Sequence, residues 1–126
     1  YEVIYVIEMK EFRLEEGVNR WGDVWEIAQD TKNPHPASFP LELADRVIRA
    51  CPGKMVLDPF VGSGTTAVAA MKNGKHFCGI DLSESYLDIA KMRIENFQKT
   101  GHDGQWASNG EMNFNRAEIN THIVSS

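Results

Sequence analysis

Apolar and polar positions along this chain follow two alternating periods, and the changes of period mark out its elements. Residues 2–7 are β-branched and aromatic and predict a strand, with Phe12, Arg13 and Leu14 returning antiparallel after a charged turn at 8–11. Residues 23–27, around Trp25, predict an extended segment, and three prolines between 29 and 40 predict a loop. Leu41, Ala44, Val47 and Ile48 recur at helical spacing, which predicts a helix over 41–50 that Pro52 and Gly53 end. The short apolar run 55–58 predicts a buried strand, 65–73 a helix stopped by Gly74, and 76–81 the next strand. Ser83 suits an N-cap, with Glu84 in the first turn, for a helix reaching about Lys99. Its apolar stripe is Tyr86, Ile89, Ala90, Ile94 and Phe97, whereas residues 101–126 show no sustained period and predict a loosely ordered tail. The fold class is α/β.

Chemistry concentrates between the two predicted inner strands. Met55-Val56-Leu57-Asp58-Pro59-Phe60-Val61-Gly62-Ser63-Gly64-Thr65-Thr66 reads as a strand ending in a carboxylate, then a glycine corner, then a helix start. The following strand ends in Cys78-Gly79-Ile80-Asp81, a second carboxylate. Glycines let backbone N–H groups approach a ligand, and a carboxylate about twenty residues on can accept hydrogen bonds from ribose hydroxyls. A nucleoside-bearing cofactor fits this order. The letters Gly62-Ser63-Gly64-Thr65-Thr66-Ala67 also satisfy the dinucleotide pattern, so a nicotinamide-binding Rossmann fragment is one alternative. Against it stands Asp58, whose charge just before the loop repels a pyrophosphate and attracts an ammonium group.

Asp58-Pro59-Phe60-Val61-Gly62-Ser63-Gly64-Thr65-Thr66 closely resembles the S-adenosylmethionine-binding motif of amino-group DNA methyltransferases, which modify N6 of adenine or N4 of cytosine. His35-Pro36-Ala37-Ser38-Phe39-Pro40 is similar to the family's other cofactor motif, and Gly22-Asp23-Val24-Trp25-Glu26-Ile27 to the stretch before it. Ile80-Asp81-Leu82-Ser83-Glu84-Ser85-Tyr86 resembles the ribose-contacting turn. The order resembles the permuted β-type arrangement, and the likeness covers roughly residues 1–97. It implies a Rossmann-like S-adenosylmethionine-dependent methyltransferase fold with an incomplete sheet. It also implies that Asp58, Pro59 and the loop of Gly62, Ser63, Gly64, Thr65 and Thr66 hold the methionine end of the cofactor, with Asp81 and Ser83 at the ribose turn. Phe60 and Leu82 would pack near the adenine or the methionine arm. His35, Pro36, Ser38, Phe39 and Pro40 would close over the amino-acid moiety, with Ser38 available to its carboxylate.

The family's catalytic tetrapeptide, Asp/Asn/Ser-Pro-Pro-aromatic, holds the target amine and stacks on the flipped base. It occurs nowhere in the chain: Asn33-Pro34-His35-Pro36 lacks the paired prolines, and Asp58-Pro59-Phe60 has one too few. No catalytic residue is therefore assigned. The chain reads as a cofactor-binding half that needs a second chain or a missing segment, and a start at Tyr1 is what a fragment would show. The expected organisation is a partial methyltransferase domain over residues 1–100, with a strand and hairpin region at 1–28 and a cofactor-binding half at 35–100, followed by the tail 101–126. The alternative to a split enzyme is an inactive truncated remnant.

At 126 residues and a net charge of −5, the chain offers no basic surface to DNA phosphates, so double-stranded DNA is expected through the complete enzyme. Cys51 and Cys78 suit a reduced cytoplasmic protein, and Cys78, inside a strand pattern, reads as a small core residue. His76, His102 and His122 have no metal-ligand spacing, and no metal is expected. No run approaches the ~20 apolar residues of a membrane span. Trp25 reads as core rather than as a base-stacking surface.

Overall fold

Two strands, β1 (Met55–Asp58) and β2 (His76–Gly79), lie parallel, with Met55 opposite His76 and Asp58 opposite Gly79. Parallel neighbours need a crossover rather than a tight turn. Here α2 (Thr65–Lys72) supplies it. Helix α1 (Leu41–Ala50) precedes β1, and α3 (Glu84–Thr100) follows β2. A computed structural model describes residues 3–29, 38–106 and 112–113 of this chain.

The core sits between α1, α2 and one face of the sheet. Ala67, Val68, Ala69 and Ala70 of α2 are fully enclosed, and Ala69 and Ala70 meet Ala44 and Ile48 of α1. Leu41, Val56 and Phe77 pack against that cluster. The alanines of α2 allow close approach to its neighbours, so each added methylene would be felt. Asp45 is buried at the same seam. It accepts from the Asn73 amide at 2.7 Å and from Lys72 Nζ at 3.2 Å, with Arg49 at 3.7 Å. Burial pushes its carboxyl up, but the Asn73 and Lys72 hydrogen bonds and the charges of Lys72 and Arg49 outweigh it, leaving the net shift below the ordinary 3.8.

Helix ends are closed by local chemistry. After α2, the Gly74 N–H donates to Met71 O and the Lys75 N–H to Ala70 O, both at 2.9 Å, with Gly74 at φ 64°. This is the paired closure that a glycine just past a helix end permits. The Lys75 ammonium then donates to Ile48 O at 2.6 Å, which also accepts from Cys51 N–H, and to Cys51 O, tying it to the C-terminal end of α1.

Side chains alternate along both strands. Val56 and Phe77 face the helices, whereas Met55 and Leu57, each 64% exposed, lie on the opposite face with His76 and Cys78. The expected buried strand is thus covered on one face only among the described residues. Cys78 is exposed, which corrects its reading as a core residue. Past Gly101, β3 (Gln105–Trp106) pairs antiparallel with β4 (Met112–Asn113).

The amino-terminal expectations fare less well. Residues 3–7 belong to no strand and are exposed, although a turn does form where Phe12 N–H meets Met9 O at 3.0 Å. Strand propensity describes fit to a half-buried pleated surface, and the described residues offer this segment no ladder. A 3-10 turn, Val18–Trp21, was not foreseen. Trp25 is half-buried, meeting Trp21 edge to face at a centroid distance of 6.1 Å. The guanidinium groups of Arg46 and Arg49 from α1 lie over Trp25 and Trp21 at 5.6 and 4.8 Å. These are cation–π contacts that attach the segment to the helix.

Candidate functional site

The C-terminal ends of β1 and β2 are stitched together beyond the last ladder pair. Ile80 N–H donates to Asp58 O at 2.9 Å, and Val61 N–H to Ile80 O at 3.0 Å. The two carboxylate-bearing positions therefore end up at the same rim of the sheet, where parallel α/β proteins place their ligands. Gly79 makes this closure possible. A β-carbon there would lie 2.9 Å from a methyl of Val61, whose side chain is buried.

Each acid also shapes the backbone beside it. Asp58 accepts from the Phe60 N–H at 2.9 Å, a side-chain turn that carries the chain through Pro59. Asp81 accepts from Gly62 N–H and Ser83 N–H, each at 2.8 Å, joining the glycine corner to the start of α3. Ser83 caps α3 through its hydroxyl, which accepts from Tyr86 N–H at 3.4 Å.

Gly62 and Gly64 have φ of 51° and 90°, and Gly64 N–H donates to Val61 O at 2.9 Å. A β-carbon on Gly64 would stand 2.8 Å from the Ala90 β-carbon, so the corner and α3 touch backbone to side chain. Thr65 then opens α2, and the first N–H groups of that helix lack intrahelical partners.

Of the sequence-derived site residues, Asp58, Pro59, Phe60, Gly62, Ser63, Gly64, Thr65, Thr66, Asp81, Leu82 and Ser83 gather at this rim. Phe60 and Leu82 flank it and are 85% and 103% exposed. Ser63 and Thr65 depart from the simple expectation. Both are buried, and their hydroxyls accept from Arg93 rather than pointing outward. Ser38, Phe39 and Pro40 lead into α1, where Pro40 O accepts from Leu43 and Ala44. His35 and Pro36 lie outside the described residues.

Arg93 and Asp103 escaped sequence reasoning. A signal was present: Arg93 falls on the α3 stripe, three residues after Ala90 and four before Phe97. A cavity of about 640 Å³ lies at the opposite end of the sheet, against Lys54 and His76, Trp21, Arg49 and Lys75. None of the expected site residues lines it. Among the described residues no cluster of three His, Cys, Asp or Glu side chains could hold a metal ion.

A family model for DNA methylases of the N6/N4 type matches residues 6–92. The type II methyltransferase M.ScaI of Streptomyces caespitosus is 43% identical over 84 residues, covering 58% of this chain and 28% of that protein. The type II methyltransferase M2.DpnII of Streptococcus pneumoniae is 44% identical over 80 residues, covering 58% and 30%. The chain thus spans less than a third of the length of these curated relatives. A crystal structure of a protein from Thermus thermophilus, named a DNA modification methylase, superposes with a TM-score of 0.52 at 32% identity. That likeness covers 80% of this chain and 43% of the other.

Proposed function

Because the chain belongs to the N6/N4 DNA methylase family, we propose that the rim carrying Asp58, the 62–66 loop and Asp81 binds S-adenosylmethionine. The chain is on this reading the cofactor-binding portion of an enzyme that methylates N6 of adenine or N4 of cytosine in double-stranded DNA. The observation carrying it is the 2.8 Å bond from Gly62 N–H to the Asp81 carboxylate, which gathers loop, ribose-type acid and strand ends at one place. When bound, the cofactor supplies a methyl group activated by the sulfonium charge for direct displacement by an amine.

The residues divide the work by chemistry. Asp81, at the end of the second strand, accepts hydrogen bonds from the ribose hydroxyls. Asp58 offers negative charge to the ammonium of the methionine end, and the backbone of the 62–66 loop lies alongside it. Phe60 and Leu82 enclose apolar surface of the nucleoside. Residues 35, 36 and 38–40 close over the amino-acid moiety, with Ser38 at its carboxylate. A complementary methyltransferase segment, in a second chain or in a part of the protein outside this sequence, brings the Pro-Pro-aromatic loop that receives the flipped base. Positioning of the two reactants accounts for most of the rate. A cytoplasmic setting goes with DNA as substrate. No helix among the described residues is long and apolar enough to cross a membrane.

Calorimetric titration with S-adenosylhomocysteine tests the reading, with NADH as the contrasting ligand. Saturable binding that NADH does not displace is expected, and it should disappear in Asp81→Ala. Equal affinity in wild type and Asp81→Ala would remove the ribose assignment.

A further inference from the structure

Arg93 is the most enclosed charge in the described structure, at 3% exposure. Its guanidinium reaches the glycine corner on one side and Asp103 on the other. Nη1 donates to Ser63 O at 2.9 Å, to Thr65 Oγ1 at 3.1 Å and to Ser63 Oγ at 3.4 Å. Nε donates to Asp103 Oδ1 at 3.0 Å and Nη2 to Asp103 Oδ2, the two-pronged pairing for which a guanidinium is shaped.

Asp103 is itself held. Thr100 Oγ1 accepts from His102 N–H at 3.1 Å, and Asn96 Nδ2 donates to His102 O at 2.7 Å. This short run past the end of α3 therefore presents its carboxylate in a fixed position.

We propose that Arg93, held by Asp103, is a positioning residue that fixes the shape of the 62–66 loop from beneath and thereby tunes the loop's affinity for its ligand. For the identity of that ligand, the inference rests on the S-adenosylmethionine reading above.

Three observations carry it. Residues 62–64 belong to no strand or helix and include two glycines at positive φ, so regular structure does not dictate the path into α2. Arg93 bonds both the backbone carbonyl of Ser63 and the side chain of Thr65, bracketing Gly64 between them. Together with Gly62 N–H on Asp81, the loop is pinned at both ends by charged groups from outside it. A buried ion pair contributes little to stability beyond what packed apolar side chains would give, so one aimed at a ligand loop is better understood as fixing geometry.

The test is amide hydrogen exchange on the full chain, with adenosylhomocysteine affinity measured alongside. The double variant Arg93→Leu/Asp103→Leu removes both charges while filling the space, and Thr65→Val deletes one acceptor at constant shape. The double variant should exchange Gly62 and Gly64 amides roughly tenfold faster or more, the loss expected for hydrogen bonds to a charged group. Val68 and Ala69 amides should keep wild-type rates, and the affinity should weaken to a similar degree at an unchanged melting temperature. Thr65→Val should show the same pattern more weakly. Wild-type rates at Gly62 and Gly64 in both variants would overturn the proposal, as would loop and core rates rising together. Failure of the wild type to bind adenosylhomocysteine, with the exchange pattern as stated, would instead remove the cofactor reading and leave the positioning role standing.

Discussion

Gly62 N–H and the Asp81 carboxylate meet at 2.8 Å across nineteen residues of sequence. One acid thereby fixes a backbone corner and, on the proposed reading, also meets the ribose. Asp81→Asn weakens both roles, since it removes the charge and leaves one oxygen where two accept from Gly62 and Ser83. Calorimetry on that variant should show adenosylhomocysteine affinity reduced about tenfold or more. Scanning calorimetry should show a smaller, separate loss of stability.

Gly64 is predicted to tolerate no side chain. In Gly64→Ala the new carbon would lie 2.8 Å from Ala90 Cβ and 2.9 Å from Ala90 Cα, at a φ of 90°. Overpacking and left-handed strain together should cost about 2–4 kcal/mol in urea denaturation. Adding Ala90→Gly removes only the contact with the Ala90 Cβ, leaving the 2.9 Å approach to its Cα and the left-handed strain in place. The pair should therefore be less destabilised than the summed single variants by about 1 kcal/mol.

The two faces of the sheet should respond differently to truncation. Ile48→Ala, under the helix-covered face, should cost about 2–4 kcal/mol. Leu57→Ala, on the open face, should fall within about 0.5 kcal/mol of wild type. Comparable losses at both positions in denaturant titrations would show that the open face is covered after all.

Asp45 sets a pH dependence. Its carboxyl titrates lower in the folded chain than its ordinary value, because the Asn73 and Lys72 bonds and neighbouring cations outweigh burial. Folding therefore favours the ionised form. The contribution is complete above the unfolded value of about 3.9 and is lost as pH falls from there through the folded value. The gap in melting temperature between wild type and Asp45→Asn should be widest near neutrality and close under acid.

Local signals made much of this legible. Helix α1 was readable to its end residues because four apolar positions and the Pro52-Gly53 stop agree, and Ser83 capped α3 as its side chain suggests. Asp58, the glycine corner and Asp81 were readable as a set because chain order alone brings neighbouring parallel strand ends together. Which sheet face stays bare was not readable, since an apolar run of four looks the same whether one side or both are covered. Cys78 was misplaced for that reason. Arg93 was passed over because charge outweighed position on the stripe, and the carboxylate that makes its burial tolerable lies in a stretch without periodicity. His35 and Pro36 lie outside the described residues.

Asp103 stands beyond the cap of α3, yet it grips the arginine beneath a corner formed much earlier in the chain. A protein engineer wishing to graft that corner onto a foreign scaffold could not lift the glycine letters alone. The smallest portable unit runs from the first strand through Asp103, and a shorter transplant would carry the spelling without its grammar.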